Sequence, residues 1–255
     1  MTFDFDLAGK SVLVTGAFSG LGLHFSRTLA AQGCQVAMCG RRISLGTGLA
    51  RSLCEEGQIA HAFELDVTDA DSITRCLDAV SERVGMPAVL INNAGVAHHS
   101  PALSTTDDSW NQTIEVNLNG VWKMTRAYAS KLKETEAPGN VINIASILGL
   151  RVAQQVAAYA VCKAGVIQLT KALALELARY RIRVNAIAPG YFETDLNRDF
   201  FETDAGTQLV KRIPMRRLGS LPELDGPLLT LASHASSFMT GSVITVDGGH
   251  LVSSL

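Results

Sequence analysis

The sequence predicts an α/β protein, a doubly wound parallel sheet in a single domain spanning residues 1–255. Three observations carry this. Short apolar runs alternate with longer helical patterns along the whole chain, which implies parallel strands joined by right-handed helical crossovers. Most of the short runs are near-continuous in Val, Ile, Leu and Ala, as strands covered on both faces require. No Pro/Ser/Gly-rich linker or block of charge divides the 255 residues, and a hydrophobic content of 47% is ample for one large core.

Taken in order, the strand-like runs are 11–15, 35–39, 59–65, 88–92, 140–145, 183–187 and 242–246. A glycine-rich turn follows the first run and opens a helix at 21–32. The stretch 43–56 holds Gly46 and Gly48, which weaken a helix by about 1 kcal/mol each; a helix is still expected, because a crossover must join two parallel strands. Helical periodicity returns at 69–83, 109–132 and 157–180. Residues 195–219 mix Phe200, Phe201 and Leu209 with polar residues and read as a mobile helical flap over the pocket.

Composition excludes several classes of function. A net charge of −2 with 18% charged residues offers no basic field for nucleic acid or an anionic membrane. The five cysteines show no Cys-x-x-Cys spacing and suit thiols in a reducing cytosol. The acidic N-terminus lacks the basic and apolar regions of a signal peptide. The most apolar stretch, 152–178, is interrupted by Lys163, Lys171 and Glu176, so no uncharged run spans a bilayer. A soluble, cytoplasmic protein is expected. No His/Cys/acid cluster has ligand spacing, so no metal is expected.

Tyr159 and Lys163 stand four residues apart. On a helix such positions are stacked neighbours, and the lysine leans back toward the preceding turn. A free tyrosine titrates near ~10, so acting as a base near ~7 needs roughly 4 kcal/mol. A positive charge about 4 Å away at an effective dielectric of ~20 supplies about that much. The pair thus predicts a phenolate accessible near neutral pH and proton exchange with an alcohol oxygen. Alone, the spacing also describes an amphipathic helix with a half-buried Tyr and a solvated Lys. Ser146, upstream in the chain, and the distant glycine turn narrow that choice.

The turn, Thr-Gly-Ala-Phe-Ser-Gly-Leu-Gly over residues 15–22, carries Gly16, Ser19, Gly20, Leu21 and Gly22 between a strand and a helix. Glycines there let a pyrophosphate approach backbone N–H groups at the positive helix end. Dinucleotide folds usually place a ribose-binding acid at the end of the second strand. Here that place reads Cys39-Gly40-Arg41-Arg42, and a guanidinium suits a 2′-phosphate. NADP(H) is therefore expected over NAD(H), through Arg41, with Arg42 read as a solvated surface residue. Asp66, before Val67, accepts from an adenine amino group or caps the next helix; both readings stand. Asn92, Asn93, Ala94 and Gly95 close the fourth strand, where either a bound ring or plain turn chemistry accounts for them.

Assembled in this order, the residues resemble the short-chain dehydrogenase/reductase family over essentially the whole chain, from Lys10 to Gly249. The motifs that carry the resemblance are the 15–22 turn, Asp66, Asn92 to Gly95, Asn117, Ser146, Tyr159, Lys163 and Pro189-Gly190. Within the family the chain is most similar to the 3-oxoacyl-carrier-protein reductase and gluconate 5-dehydrogenase type. The resemblance implies a Rossmann-like sheet of seven strands and NAD(P)-dependent interconversion of a small-molecule ketone and a secondary alcohol. It further implies a homotetramer or homodimer built through long central helices. By position, Tyr159 matches the acid/base and Ser146 the hydroxyl that polarises the substrate oxygen. Lys163 would lower the Tyr159 pKa and bind the nicotinamide ribose, and Asn117 would hold a water linking Lys163 to solvent. Pro189, Gly190, Phe192 and Thr194 would flank the nicotinamide. Ser19 departs from a common NADP pattern that has a cation just before the second glycine.

Ile147, Leu148, Leu150, Val152, Val156 and Tyr191 form an expected apolar wall for the substrate, though core packing explains them at least as well. His98 and His99 read as surface residues. The alternative function is a non-catalytic NADP(H)-sensing protein on the same fold, which would be expected to lose part of the Ser–Tyr–Lys set.

Overall fold

The computed structural model describes residues 5–193 and 198–253. Its centre is a seven-stranded parallel sheet in the order β3-β2-β1-β4-β5-β6-β7. The strands are β1 (Ser11–Thr15), β2 (Gln35–Gly40), β3 (Ile59–Glu64), β4 (Val89–Asn92), β5 (Gly139–Ile144), β6 (Ile182–Pro189) and β7 (Val243–Val246). Every residue of β1, β4 and β5 is buried, whereas the edge strands β3 and β7 are mostly half-exposed. The continuous apolar runs belong to the covered centre of the sheet, as two-sided burial requires.

Successive strand residues point to opposite faces and so feed two cores. On one face Val12, Val14, Val36, Met38 and Ile91 meet Phe25 and Leu29 of α1 (Gly20–Ala31) and Leu228 and Leu231 of α9 (Asp225–Ala232). On the other, Leu13, Ala37, Leu90 and Val141 meet α3 (Ala70–Val84) and α5 (Gly120–Glu134). Tyr128 of α5 is fully buried there and donates to the Pro87 carbonyl at 2.9 Å.

The predicted helix over 109–132 is two helices. α4 (Asp107–Ile114) runs into a π-helical turn, Glu115–Asn119, and then α5 begins. Turns of this kind inside helices recur at functional sites. This one turns Asn117 inward, where it is fully buried and pairs twice with the Val96 backbone: Nδ2 donates to the carbonyl and Oδ1 accepts from N–H, both at 2.7 Å.

α2 (Ile43–Glu55) forms despite its two glycines, and they differ in kind. A Cβ at Gly46 would stand 2.3 Å from the Phe18 ring, whereas one at Gly48 would meet nothing within 4 Å. Gly46 lets the glycine-rich turn pack on α2; Gly48 is only a weak spot. Gly48→Ala is expected to raise stability by about 1 kcal/mol in a denaturant melt. Gly46→Ala is expected to lower stability and weaken nucleotide binding together.

α6 (Ala157–Leu177) continues into a 3₁₀ turn, and Ala157–Tyr180 is long and apolar enough, by length and composition, to cross a membrane. Here it packs on the sheet through Val166, Ile167 and Leu173, with Lys163 buried. The predicted flap resolves into α7 (Arg198–Phe201) and α8 (Asp204–Arg212). Residues 194–197 and the Phe200 side chain lie outside the described set. A clasp closes the base of this excursion: Gly219 N–H donates to the Tyr191 carbonyl at 2.9 Å, and Phe192 bridges Gly219.

Candidate active site

The strand order reverses at β1, which pairs with β2 on one side and β4 on the other. Such a switch point opens a crevice beyond the carboxyl ends of the strands. Here it is a cleft of about 720 Å³. Gly16, Ser19, Gly20 and Leu21 line one end, with Arg41, Asp66 and Val67; Ser146, Tyr159, Lys163, Pro189 and Gly190 line the other, and Asn93, Ala94 and Gly95 lie between.

The glycine end is built by close approach. Gly16 has φ +64, and a Cβ there would lie 2.8 Å from the Ala94 backbone. A Cβ on Gly22 would lie 2.2 Å from the Gly16 carbonyl, so Gly22 supports the turn from below and is not on the cleft wall. Asn93 straps the turn to β4, its Nδ2 donating to the Thr15 and Gly16 carbonyls at 3.0 and 3.2 Å. Thr15 Oγ1 accepts from the N–H groups of Asn93 and Ala94, both at 3.0 Å. Above this, Ser19 at the start of α1 makes no side-chain cap, and the first turn carries no acid. The uncapped N–H groups and positive helix end suit a pyrophosphate, so the residues present fit a dinucleotide.

Arg41 and Arg42 are both exposed and both line this end of the cleft. Arg42 therefore shares the site, where the sequence suggested plain surface. Asp66 does not cap α3; Asp69 does, accepting from Asp71 N–H at 2.9 Å. Asp66 Oδ1 instead accepts from the Thr68 hydroxyl and N–H at 2.7 and 2.9 Å. Burial acts to raise its pKa, but those Thr68 bonds and the charges of Arg41 and Lys123 outweigh it, and the carboxyl stays below its ordinary value.

At the other end, Ser146 leaves β5 in an extended conformation, and its Oγ accepts from Leu148 N–H at 3.1 Å. That bond orients the hydroxyl, which also hydrogen-bonds the Tyr159 phenol. Gly149 presses this turn onto α6, for a Cβ there would meet the Lys163 carbonyl at 2.6 Å. Lys163 Nζ donates to the Ile144 carbonyl at 2.7 Å and lies 5.4 Å from the Tyr159 ring centroid. Burial pulls the Lys163 pKa down to about 8, with Cys162 acting weakly the other way.

The phenol corrects the sequence reading of its acidity. Burial pushes Tyr159 above its ordinary value; the Ser146 hydroxyl opposes this, while Tyr191 and Cys162 add to it. The lysine sits under the ring and bonds a carbonyl, so its charge does not dominate the phenol oxygen. Tyr159 is accordingly held protonated at neutral pH, in the form that donates.

Some expected residues lie elsewhere. Phe192 is buried in the core beside Gly219, where a Cβ would stand 2.4 Å from its ring, and it does not line the cleft. Asn117 sits behind the wall, and Thr194 lies outside the described residues. His98 and His99 are exposed, as are Leu150 and Val152, while Ile147 and Val156 are buried. Cys162 is buried, with its thiol pushed up to about 11 by burial. Sequence reasoning missed Phe18, Val96 and Val116 on the cleft wall, and Gly149. Glycine flanked by apolar residues after a candidate catalytic serine was the available signal for the last.

Comparison with known proteins agrees with this geometry. The family model described as enoyl-(acyl carrier protein) reductase matches residues 16–250. The chain is 35% identical over 249 residues to 5-keto-D-gluconate 5-reductase of Escherichia coli K12, covering 97% of this chain and 98% of that protein. It is 35% identical over 250 residues to the 3-oxoacyl-(acyl-carrier-protein) reductase of Thermotoga maritima, covering 96% and 99%. A crystal structure of gluconate 5-dehydrogenase from Burkholderia cenocepacia J2315, in complex with NADP and tartrate, superposes with a TM-score of 0.94 at 36% identity, covering 98% of each chain. With its seven-stranded sheet, its dinucleotide-shaped cleft and the Ser146, Tyr159 and Lys163 side chains at one end, the chain belongs to the short-chain dehydrogenase/reductase family and is an NAD(P)-dependent oxidoreductase.

Proposed function

We propose that this enzyme is a ketone reductase and secondary alcohol dehydrogenase that prefers NADP(H) and acts on sugar-derived substrates. The observation that carries the reading is the convergence of Ser146, Tyr159 and Lys163 at the end of the cleft opposite Arg41. When bound, the nicotinamide dinucleotide supplies or takes the hydride. Ser146 and Tyr159 aim two donors at the carbonyl oxygen, where negative charge develops. Tyr159 delivers its proton to that oxygen as the general acid. Lys163 holds the nicotinamide ribose and favours the phenolate left behind. Asn117 fixes the Val96 backbone beside them and, in the family's pattern, holds the water that connects Lys163 to solvent. Pro189 and Gly190 flank the ring, Phe192 supports that edge from the core, and Thr194, outside the described residues, is assigned to the same edge by the family's pattern. The α7–α8 excursion covers the substrate and excludes water.

Arg41 supports the cofactor preference, and Arg42 joins it at the same end of the cleft. Arg41→Asp is expected to move the NADP/NAD ratio of kcat/KM toward NAD by about ten- to a hundredfold. Unchanged kinetics with both cofactors would remove this assignment. Exposed Trp122 on α5 and Val161 and Leu175 on α6 suit a homotetramer or homodimer through those helices, read by light scattering of the purified protein; a monomer would refute it. A cytoplasmic location accompanies this reading, and fractionation of expressing cells tests it.

The functional test is NADPH absorbance against a panel of ketones, including keto-sugar acids and β-keto esters. Consumption with a member of the panel supports the reading. Tight NADPH binding with no turnover on any would favour a sensing protein.

A further inference from the structure

Outside the cleft, one side chain of α5 fastens together two segments that line it. Lys123 is half-buried, and its Nζ donates to the Thr68 carbonyl at 2.7 Å and to Glu115 Oε1. Thr68 belongs to the loop after β3, where its N–H and hydroxyl hold the Asp66 carboxylate, and Asp66 and Val67 line the Arg41 end of the cleft. Glu115 opens the π-turn, whose next residue, Val116, also lines the cleft. Asn117 follows and holds the Val96 backbone.

Eight residues of straight α-helix rise about 12 Å. Lys123 spans that interval because helical side chains lean toward the N-terminus, and the π-turn lies within it. Glu115 is held twice, for its Oε2 accepts from Asn119 Nδ2 at 2.5 Å. The bonds from Lys123 and Asn119 keep its carboxyl below the ordinary value. The packing beneath is tight: a Cβ on Gly120 would stand 2.8 Å from Val67 Cγ2. Glycine thus admits Val67 against the start of α5, and the ammonium pins the loop there.

We infer that Lys123 is a positioning residue for the dinucleotide: bonded to Thr68 and Glu115 at once, it holds Asp66 and Val67 against Val116 and so sets the shape of the cleft where the adenosine half binds. It acts through these neighbours, since it is not among the residues that line the cleft. An ammonium suits the post, because one group with three donors must serve a carbonyl and a carboxylate together. Removing it leaves both acceptors without that partner and frees the loop that carries Asp66. This rests on the reading of the Arg41 end as the seat of the adenosine half, and makes the shape of that end depend on a residue outside the wall.

The test titrates the full-length enzyme calorimetrically with 2′,5′-ADP, the adenosine half of NADP. Lys123→Met is expected to weaken 2′,5′-ADP binding about tenfold. Lys123→Arg can still serve both acceptors and should recover most of the loss. Gly120→Ala keeps the lysine but drives a Cβ into Val67, and should weaken binding to a similar degree. With a ketone that the enzyme turns over, the KM for NADPH should rise about tenfold in Lys123→Met, while kcat at saturating NADPH stays within about twofold of wild type. If 2′,5′-ADP binds Lys123→Met as tightly as wild type, or Lys123→Arg restores nothing, the assignment falls. A loss of kcat as large as the rise in KM would make the lysine a general structural support and overturn it too. Should Lys123→Met fail to fold, Gly120→Ala decides, and wild-type affinity there sinks the inference. A wild type that does not bind 2′,5′-ADP removes the adenosine reading and this inference with it; binding without turnover of any ketone touches the reductase reading alone.

Discussion

Tyr159→Phe is expected to reduce kcat/KM by about a hundred- to ten-thousandfold, while NADPH affinity and melting temperature stay close to wild type. Only the hydroxyl is removed. The ring keeps its place above Lys163 Nζ, whose centroid distance of 5.4 Å is a packing and cation–π contact and does not involve the oxygen. What disappears is the proton that must reach the substrate oxygen as hydride arrives at its carbon. The direction of the pKa shift sharpens the expectation. Since burial raises the phenol above its ordinary value, the protonated form is the one present at neutral pH. Ketone reduction should therefore be fast near neutrality, and alcohol oxidation should gain as pH rises and the phenolate forms. Initial rates in both directions across pH check this; near-full activity in Tyr159→Phe would refute the proton-transfer role.

The second large effect separates activity from stability. Lys163 is 5% exposed, and burial takes its pKa from the ordinary 10.5 to about 8. In the unfolded chain the amine keeps its proton to near the ordinary lysine value. Between about pH 8 and 10.5 the unfolded state thus binds more protons than the folded state, and stability attributable to this residue rises with pH across that window. Below it the buried ammonium is a burden of roughly 3 kcal/mol, offset in part by its bond to the Ile144 carbonyl. Lys163→Met at pH 7 should consequently leave the melting temperature equal or higher. Turnover and cofactor affinity should both fall, about a hundredfold in kcat/KM, because the charge proposed to favour the phenolate and hold the ribose is gone. In the wild type, NADP(H) affinity should decline as pH climbs through about 8, and the variant should lack that limb. A variant that melts far lower at pH 7 would show that the lysine is chiefly a structural group.

Much of the architecture was legible because the physics that encodes it is local. Buried parallel strands must be apolar on both sides, so the runs at β1, β4 and β5 announce themselves, and the catalytic trio lies within a short stretch of chain. The π-turn at Glu115–Asn119 was not legible, since an extra residue within a helix leaves the apolar periodicity nearly intact. The turn shows only in where Asn117 ends up. Phe192 was misplaced for a related reason: next to Pro189-Gly190 it looks like a cleft residue, yet the clasp with Gly219 turns it into the core. The acidity of Tyr159 was misjudged because spacing reports which side chains are neighbours and says nothing of how far water is excluded from them. The Lys123–Thr68 contact joins positions far apart in the chain, and nothing in either neighbourhood signals the other.

The clasp at Tyr191, Phe192 and Gly219 bears on substrate choice. Both ends of the α7–α8 excursion are fastened at one point, and its later part is fastened again where Met215 N–H donates to the Gly248 carbonyl beyond β7. On the proposed reading that the α7–α8 excursion covers the substrate, exchange of the stretch between Phe192 and Gly219 is expected to change selectivity.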